Sequence, residues 1–423
     1  MAIDNRWIRA VRGQKNKLIQ EEFMMVEKAE NGNLMIEGRI DSTNAAEFEK
    51  EVFDLCGEEK DLVLDALKLE YISSAGLRVL MKLKKAEKDI TVLNVSPEIY
   101  DIFDMTGFTE ILNVRKKLRF VDTKGLEFIG KGGFGAVYRL TEDSILKTFF
   151  GQNTDEGLKE GLKSTRAAFV KGVPTAIPFE TVMTNEGIGV IYEMIISDSL
   201  NGFIHKHPEE FDKKARQYAE LGILLASTEL DSPDVKNVKT QYIGSLEPLK
   251  DILPLEWIDA YNKAVDLVPE RHTAVHGDFH GRNIMLQDDE LLLIDMDDFG
   301  YGHPIWELAG VYTALPAFLS TNPAEEMYQD LIGLSKDEGM RMWESFSKYY
   351  FEDLSEAEKA DRLRLAALYG GVRMVSLSGD RFPADLPPDD PQYEFTMGVL
   401  KTMMENLIIP NLEFAQKAFE SWQ

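Results

Sequence analysis

The stretch His276-Gly277-Asp278-Phe279-His280-Gly281-Arg282-Asn283-Ile284-Met285-Leu286, followed shortly by Leu292-Leu293-Ile294-Asp295-Met296-Asp297-Asp298, decides how the rest of this chain is read. It supplies an acid, an amide five residues further on, and a second acid at the end of an apolar run. Phosphoryl transfer asks for such a set, because its chemistry is mostly positioning and charge neutralisation. One carboxylate orients the attacking hydroxyl, while an amide oxygen and another carboxylate hold Mg2+ on nucleotide phosphates. Asp278, Asn283 and Asp295 are the candidates for those roles. Two other readings compete: His276, Asp278 and His280 alternate as metal ligands might in a metallohydrolase, and the segment could be a polar loop between core strands.

The spacing Asp278-x4-Asn283 fits the catalytic-loop pattern of the kinase fold, and the wording His-Gly-Asp-x-His resembles the aminoglycoside/choline phosphotransferase family more than the protein kinases. In that family a Gly-x-Pro…Asp-Leu-Ala segment follows. Here it reads Gly302-His303-Pro304-Ile305-Trp306-Glu307-Leu308-Ala309, with Glu307 where the family has Asp. The resemblance covers residues 123–423 and implies a two-lobed α+β domain, an N-lobe at 123–195 and a mainly helical C-lobe at 196–423.

Upstream residues carry the same reading. Gly130-Lys131-Gly132-Gly133-Phe134-Gly135 fits Gly-x-Gly-x-x-Gly, which a dinucleotide-binding turn would also satisfy. Such a turn opens a helix, whereas 136–140 and 144–149 read as strand, turn, strand. The glycines then belong to a hairpin whose backbone N–H groups close over phosphates. Lys147 falls on the second strand, where the fold keeps its phosphate-contacting lysine. A helix over 154–171 offers Glu160, with Glu156 second, as that lysine's partner, and a solvated helix face is the plain reading of either. Paired strands at 179–183 and 187–194 end at Glu193 and Met194, where the fold places the hinge that contacts adenine. From residue 200 the pattern is helical, with helices expected at 211–228, 254–268, 305–319, 324–332, 336–351, 355–378 and 393–419. His276 reads as a brace for its loop, and no inactivating substitution marks a pseudokinase.

The first 122 residues are organised differently. Strands at 23–29 and 34–38 flank an Asn/Gly turn; helices at 45–56, 76–88 and 97–104 alternate with strands at 61–67 and 90–95, and Asp41-Ser42-Thr43-Asn44 offers a cap for the first helix. Tyr71-Ile72-Ser73-Ser74-Ala75-Gly76-Leu77 and Ile102-Phe103-Asp104-Met105-Thr106-Gly107-Phe108 resemble the STAS family, the anti-sigma factor antagonist module, over 22–122. That resemblance implies an α/β domain whose serine at a helix start, here Ser74, is phosphorylated by a partner kinase. A helix N-terminus stabilises the added phosphate while its charge disrupts a docking surface. Ser73 competes as acceptor, and both serines also read as ordinary N-caps.

The chain of 423 residues is long enough for two or three domains. A formal net charge of −26 argues against nucleic acid or an anionic membrane as partner, leaving cationic substrates and basic partners open. One cysteine, Cys56, excludes a disulfide framework and a Cys-based zinc site, with the cytoplasm as the default compartment. Residues 1–21 read as a basic arm without a signal-peptide core, and no apolar run is long enough to span a bilayer.

The sequence therefore points to an α/β STAS-like domain followed by an ATP- and Mg2+-dependent phosphotransferase acting on a hydroxyl of a small molecule or a protein. The alternative is a signalling protein whose STAS module binds an anti-sigma or other partner and is switched by phosphorylation at Ser74, with the kinase-like domain as serine kinase or nucleotide-dependent regulator.

Overall fold

The computed structural model describes residues 24–131, 135–149, 155–195, 197–232, 235–380, 382, 387 and 389–422, without the side chains of 155–161 and 380. The expected N-terminal arm, Gly132 and Gly133 lie outside the described residues. Two compact units divide between Val121 and Asp122.

In the first unit a five-stranded sheet runs in the order Met24–Lys28, Leu34–Ile40, Asp61–Ile72, Asp89–Val95, Asn113–Lys116. The first pair is antiparallel and the others parallel, so each parallel step needs a crossover. Helices Ala45–Cys56, Ser74–Lys85 and Pro97–Met105 lie between successive strands of that order. Strand and helix faces meet in a core that includes Ile40, Phe48, Val52, Leu64, Leu80, Leu83 and Phe103.

Two local expectations are corrected. The strand expected at 61–67 runs to Ile72, which carries it to the start of the serine-bearing helix. Asn44 precedes helix Ala45–Cys56 but makes no capping bond. Its Oδ1 accepts from Asp41 N–H at 2.8 Å and its Nδ2 donates to the Arg39 carbonyl at 2.8 Å, so it ties the strand exit instead.

The second unit has an antiparallel sheet which, within this unit, runs Pro178–Thr184, Gly187–Glu193, Ser144–Phe149, Gly135–Arg139, Glu127–Lys131. Gly135 is there for close approach, since a Cβ on it would stand 1.8 Å from the Thr148 carbonyl oxygen across the pair. Helix Asp155–Val170 lies against the turn Met296–Asp298. A helical body follows around Phe211, Tyr218, Phe279, Trp306, Phe346 and Tyr369.

The helix expected at 305–319 is interrupted. Ile305–Tyr312 widens into a π-type turn over Thr313–Ala317, around Pro316, whose missing N–H breaks the regular ladder. The one expected at 393–419 breaks similarly between Met403 and Leu412, around Pro410. Helix Leu200–Lys206, the hairpin Ile284–Gln287/Glu290–Leu293 and a small sheet of Lys236–Asn237, Gly300–Gly302 and Thr273–Val275 were not foreseen.

Candidate active site

Asp278 is held on a short loop leaving strand Thr273–Val275. The loop turns at Gly277, where φ is +84° and a Cβ would meet the Asp298 carbonyl oxygen at 2.6 Å, so only glycine fits. His276 is buried, and burial pushes its imidazole below its ordinary value. Its Nε2–H donates to the Ile294 carbonyl at 2.9 Å, and its Nδ1 accepts from Asp278 N–H at 3.2 Å. Both ring nitrogens are thus used in bracing, which removes His276 from the metal-ligand reading. Among the described residues no three His, Cys, Asp or Glu side chains are placed to hold a metal.

The His276 backbone N–H donates to Glu307 Oε1. Glu307 is buried on helix Ile305–Tyr312, and burial pushes its carboxyl up to about 8, the His276 bond offsetting only part of that. Its Oε2 has no partner among the described residues.

Asn283 precedes the hairpin whose register sets Ile284 opposite Leu293. That pairing closes the sequence gap between the amide and the second acid, and the Ile294 N–H bonds the Asn283 carbonyl at 2.9 Å. The Asn283 Nδ2 donates to Asp278 Oδ2 at 2.9 Å and to the Asp278 carbonyl at 3.0 Å. Its oxygen is left as the acceptor.

His280 accepts from Arg282 N–H on Nδ1, at 3.3 Å, and faces Asp278 Oδ2 with Nε2 at 3.4 Å. Burial would raise the Asp278 carboxyl; the His280 bond and charge, the Arg373 guanidinium and His276 outweigh it and hold the group well below the usual carboxylate range. Arg373, which sequence reasoning missed, donates to Asp278 Oδ1 at 2.5 Å from helix Glu356–Asp380.

Across the cleft, Lys147 reaches Asp295 Oδ1 at 2.7 Å and Asp297 Oδ2 at 3.1 Å. Burial would lower its ammonium, but the two carboxylates win and raise it. Against partial desolvation, Lys147 holds Asp295 below its ordinary value, whereas partial desolvation and the neighbouring Asp295 charge push Asp297 up although Lys147 pulls it down. Asp295 adopts φ +60°, ψ 57°, a left-handed conformation that costs a side-chain-bearing residue about 1–3 kcal/mol and is concentrated at functional sites. The expected partner Glu160 lies on the described helix, but its side chain, like that of Glu156, is outside the described residues. Asp297 was legible in the Asp-x-Asp run yet received no role.

A cavity of about 350 Å³ adjoins these groups, lined by Ile129, Gly135 and Val137 from one sheet edge, Tyr192 to Ile195 from the connecting segment, and Asn283, Met285 and Asp295 to Asp297 below. Gly130 belongs to the same edge strand, Glu127–Lys131. Burial pushes the Tyr192 phenol up to about 12. Glu193 and Met194 line the cavity, but their N–H groups already bond the Ile177 and Asp143 carbonyls at 3.1 and 2.8 Å. What remains to them is their carbonyl oxygens, and the next N–H, that of Ile195, has no partner among the described residues.

The donor set Asn283 Oδ1, Asp295 and Asp297 is all oxygen, which suits Mg2+ held mainly by phosphate and water with one or two protein carboxylates.

A family model for the STAS domain matches residues 22–121, and one for the phosphotransferase enzyme family matches 204–343. BtrV of Bordetella bronchiseptica, described as an anti-sigma factor antagonist, is 32% identical over 84 residues, 19% of this chain and 72% of that protein. The chain belongs to the STAS family and carries a phosphotransferase-family enzyme domain behind its STAS domain.

Similar solved structures include a choline/ethanolamine kinase family protein from Mesorhizobium loti, 15% identical, covering 71% of this chain and 93% of that one with a TM-score of 0.49. An ADP-bound aminoglycoside phosphotransferase is 17% identical, covering 74% and 100% with a TM-score of 0.44.

In the STAS domain the two serines separate by geometry. Ser73 is the N-cap of helix Ser74–Lys85: its Oγ accepts from Ala75 N–H at 3.2 Å and Gly76 N–H at 3.5 Å. Ser74 is exposed in the first turn, its hydroxyl without a partner among the described residues.

Proposed function

We propose that this chain transfers the γ-phosphoryl group of ATP, with Mg2+, to a hydroxyl acceptor, and that its STAS domain docks a protein partner. The observation that carries the reading is the meeting of Lys147, Asn283 and Asp295 on the wall of one cavity, with Asp278 bonded to Asn283, although they lie up to 148 residues apart in the chain. Asn283 and Asp295, joined by Asp297, would hold Mg2+, which when bound neutralises phosphate charge.

Lys147 binds the α- and β-phosphates. Its salt bridges to Asp295 and Asp297 show that it reaches the carboxylate side of the cleft. Asp278 accepts a hydrogen bond from the acceptor hydroxyl, aims its oxygen at the γ-phosphorus and takes its proton as the new P–O bond forms and the bond to ADP breaks. Because Asp278 is a weak base in these surroundings, orientation carries more of its effect than proton affinity. Gly130 and Gly135 shape the phosphate edge, and the carbonyls of Glu193 and Met194, with the Ile195 N–H, face the base.

The acceptor is a small hydroxylated molecule, as the relatives' names suggest for those proteins, and the acidic chain favours a cationic one. A second reading draws on the exposed Ser74: the STAS domain is a switch, released from an anti-sigma type partner when Ser74 is phosphorylated, by this enzyme or another. We place the protein in the cytoplasm; no described helix is long and apolar enough to cross a membrane.

The test incubates the full chain with MgATP, alone and with aminoglycosides, amino alcohols and sugars, beside Asp278→Asn. ADP release with a phosphorylated small molecule is expected, and one added phosphate mapping to Ser74 would favour the second reading. Equal behaviour of wild type and Asp278→Asn in every arm overturns phosphotransfer.

A further inference from the structure

We infer that Arg373 is a positioning residue for phosphotransfer, acting through the carboxylate of Asp278. The inference rests on the phosphotransferase reading above. Residue 373 lies beyond the stretch matched by the phosphotransferase family model, which ends at 343.

Arg373 is buried, its side chain 9% exposed. One arm of its guanidinium, Nη2, donates to Asp278 Oδ1 at 2.5 Å; the other, Nη1, donates to the Gly277 carbonyl at 2.7 Å and to Tyr242 Oη at 3.1 Å. The fork therefore grips both the catalytic side chain and the backbone just before it. Asp278 Oδ2 is meanwhile held by Asn283 Nδ2. With each oxygen tied to a different element, the carboxylate plane has one orientation.

The helix that delivers Arg373 is built to come close. A Cβ on Gly370, one turn earlier, would stand 2.4 Å from the ring of Tyr312, and the Gly370 carbonyl accepts from Thr313 Oγ1 at 3.0 Å. Tyr242 is in turn fixed by stacking on Trp306 at 4.2 Å between ring centroids.

A buried ion pair is a poor stabilising device, since well-packed apolar residues commonly do as well or better. What it supplies is a fixed direction, and a misplacement of about 1 Å at a reacting group costs roughly 10²-fold in rate. A lysine keeps the charge but not the fork.

The test measures MgATP hydrolysis by the full chain, with water as acceptor, for wild type, Arg373→Met, Arg373→Lys and Arg373→Ala, with Asp278→Asn as baseline. We expect kcat to fall about 100-fold in Arg373→Met while the KM for MgATP stays within twofold. Arg373→Lys should recover part of the loss, and millimolar guanidinium should restore turnover to Arg373→Ala but not to Asp278→Asn. A kcat within threefold of wild type in Arg373→Met, or equal losses in kcat and MgATP affinity without guanidinium rescue, overturns the positioning role.

The pairing is also read without turnover, from urea unfolding of Arg373→Met, Asp278→Asn and the double variant. Non-additive destabilisation is expected, and additivity overturns the pairing. If coupling appears while wild type shows no Asp278-dependent turnover with water or with any acceptor of the screen above, the phosphotransfer reading fails and the pairing stands as structural alone, which also overturns the positioning role.

Discussion

The two sides of the candidate active site are built by opposite means. On the Asp278 side every group is tied to something outside the chemistry: His276 to Ile294 and Glu307, Asn283 to the Asp278 backbone, and Arg373 to Gly277 and Tyr242. On the Lys147 side the functional groups are tied to one another, Lys147 bridging Asp295 and Asp297, whose side chains remain 47% and 44% exposed against 9% for Arg373. Groups that only pair with each other can exchange that pairing for a ligand's phosphates and cation, whereas groups anchored to buried backbone cannot follow a ligand. Under the proposed function, the acceptor side would be prebuilt and the nucleotide side organised on binding.

The sharpest way to break this contrast is to remove one group from each side. Asp278→Asn should lower transfer by about 10²–10⁴-fold, the usual worth of a positioned acid–base group, with MgADP affinity by calorimetry unchanged. A matching loss of affinity would mean that the two sides are not separable. Lys147→Met should do the reverse in kind, weakening nucleotide binding and lowering turnover by about 10²–10³-fold, as loss of a charge-stabilising contact does. Unaltered MgADP affinity in that variant would contradict its place on the phosphates.

Glu307 sharpens the contrast through pH. Its carboxyl is raised from 4.5 to about 8 by burial, so between those values the folded chain holds a proton that the unfolded chain releases. Its stabilising contribution is complete below about pH 4.5 and is lost as pH rises towards 8, by about 1.4 kcal/mol per pH unit. Glu307→Gln keeps the acceptor oxygen for the His276 N–H and should flatten that part of the stability profile in urea titrations from pH 5 to 8. An unchanged slope would place the titration elsewhere.

The smallest effect separates the two serines of the STAS domain. Ser73→Ala removes a cap and should cost about 0.5–2 kcal/mol of that domain's stability, while Ser74→Ala should stay within about 0.5 kcal/mol. Equal costs would show that both hydroxyls serve the helix.

Much of this was legible because local chemistry repeats in recognisable order. The alternation of strands and helices before Val121, the lysine on a strand after a glycine hairpin, and Asp278-x4-Asn283 all sit in short segments where spacing carries the geometry. Helix ends at prolines 316 and 410 were misjudged because the apolar pattern continues across them while the backbone ladder does not. Asn44 looked like a cap because its type favours that position, but two neighbouring backbone groups outcompeted the helix for its amide.

Arg373 left no local signal. It is one arginine in a long helix, and its meaning depends on a contact made 95 residues away in the chain. Asp297 was visible in the run Asp295-Met296-Asp297, yet only the left-handed turn at Asp295 brings both acids to Lys147.

The most direct test is hydrogen–deuterium exchange of the full chain with and without MgADP. If the acceptor side is prebuilt, protection rises in strand Ser144–Phe149 and in residues 294–298 while residues 276–283 stay as they were. Equal gains in residues 276–283, or no change at Lys147 and Asp295 under saturating MgADP, would contradict it.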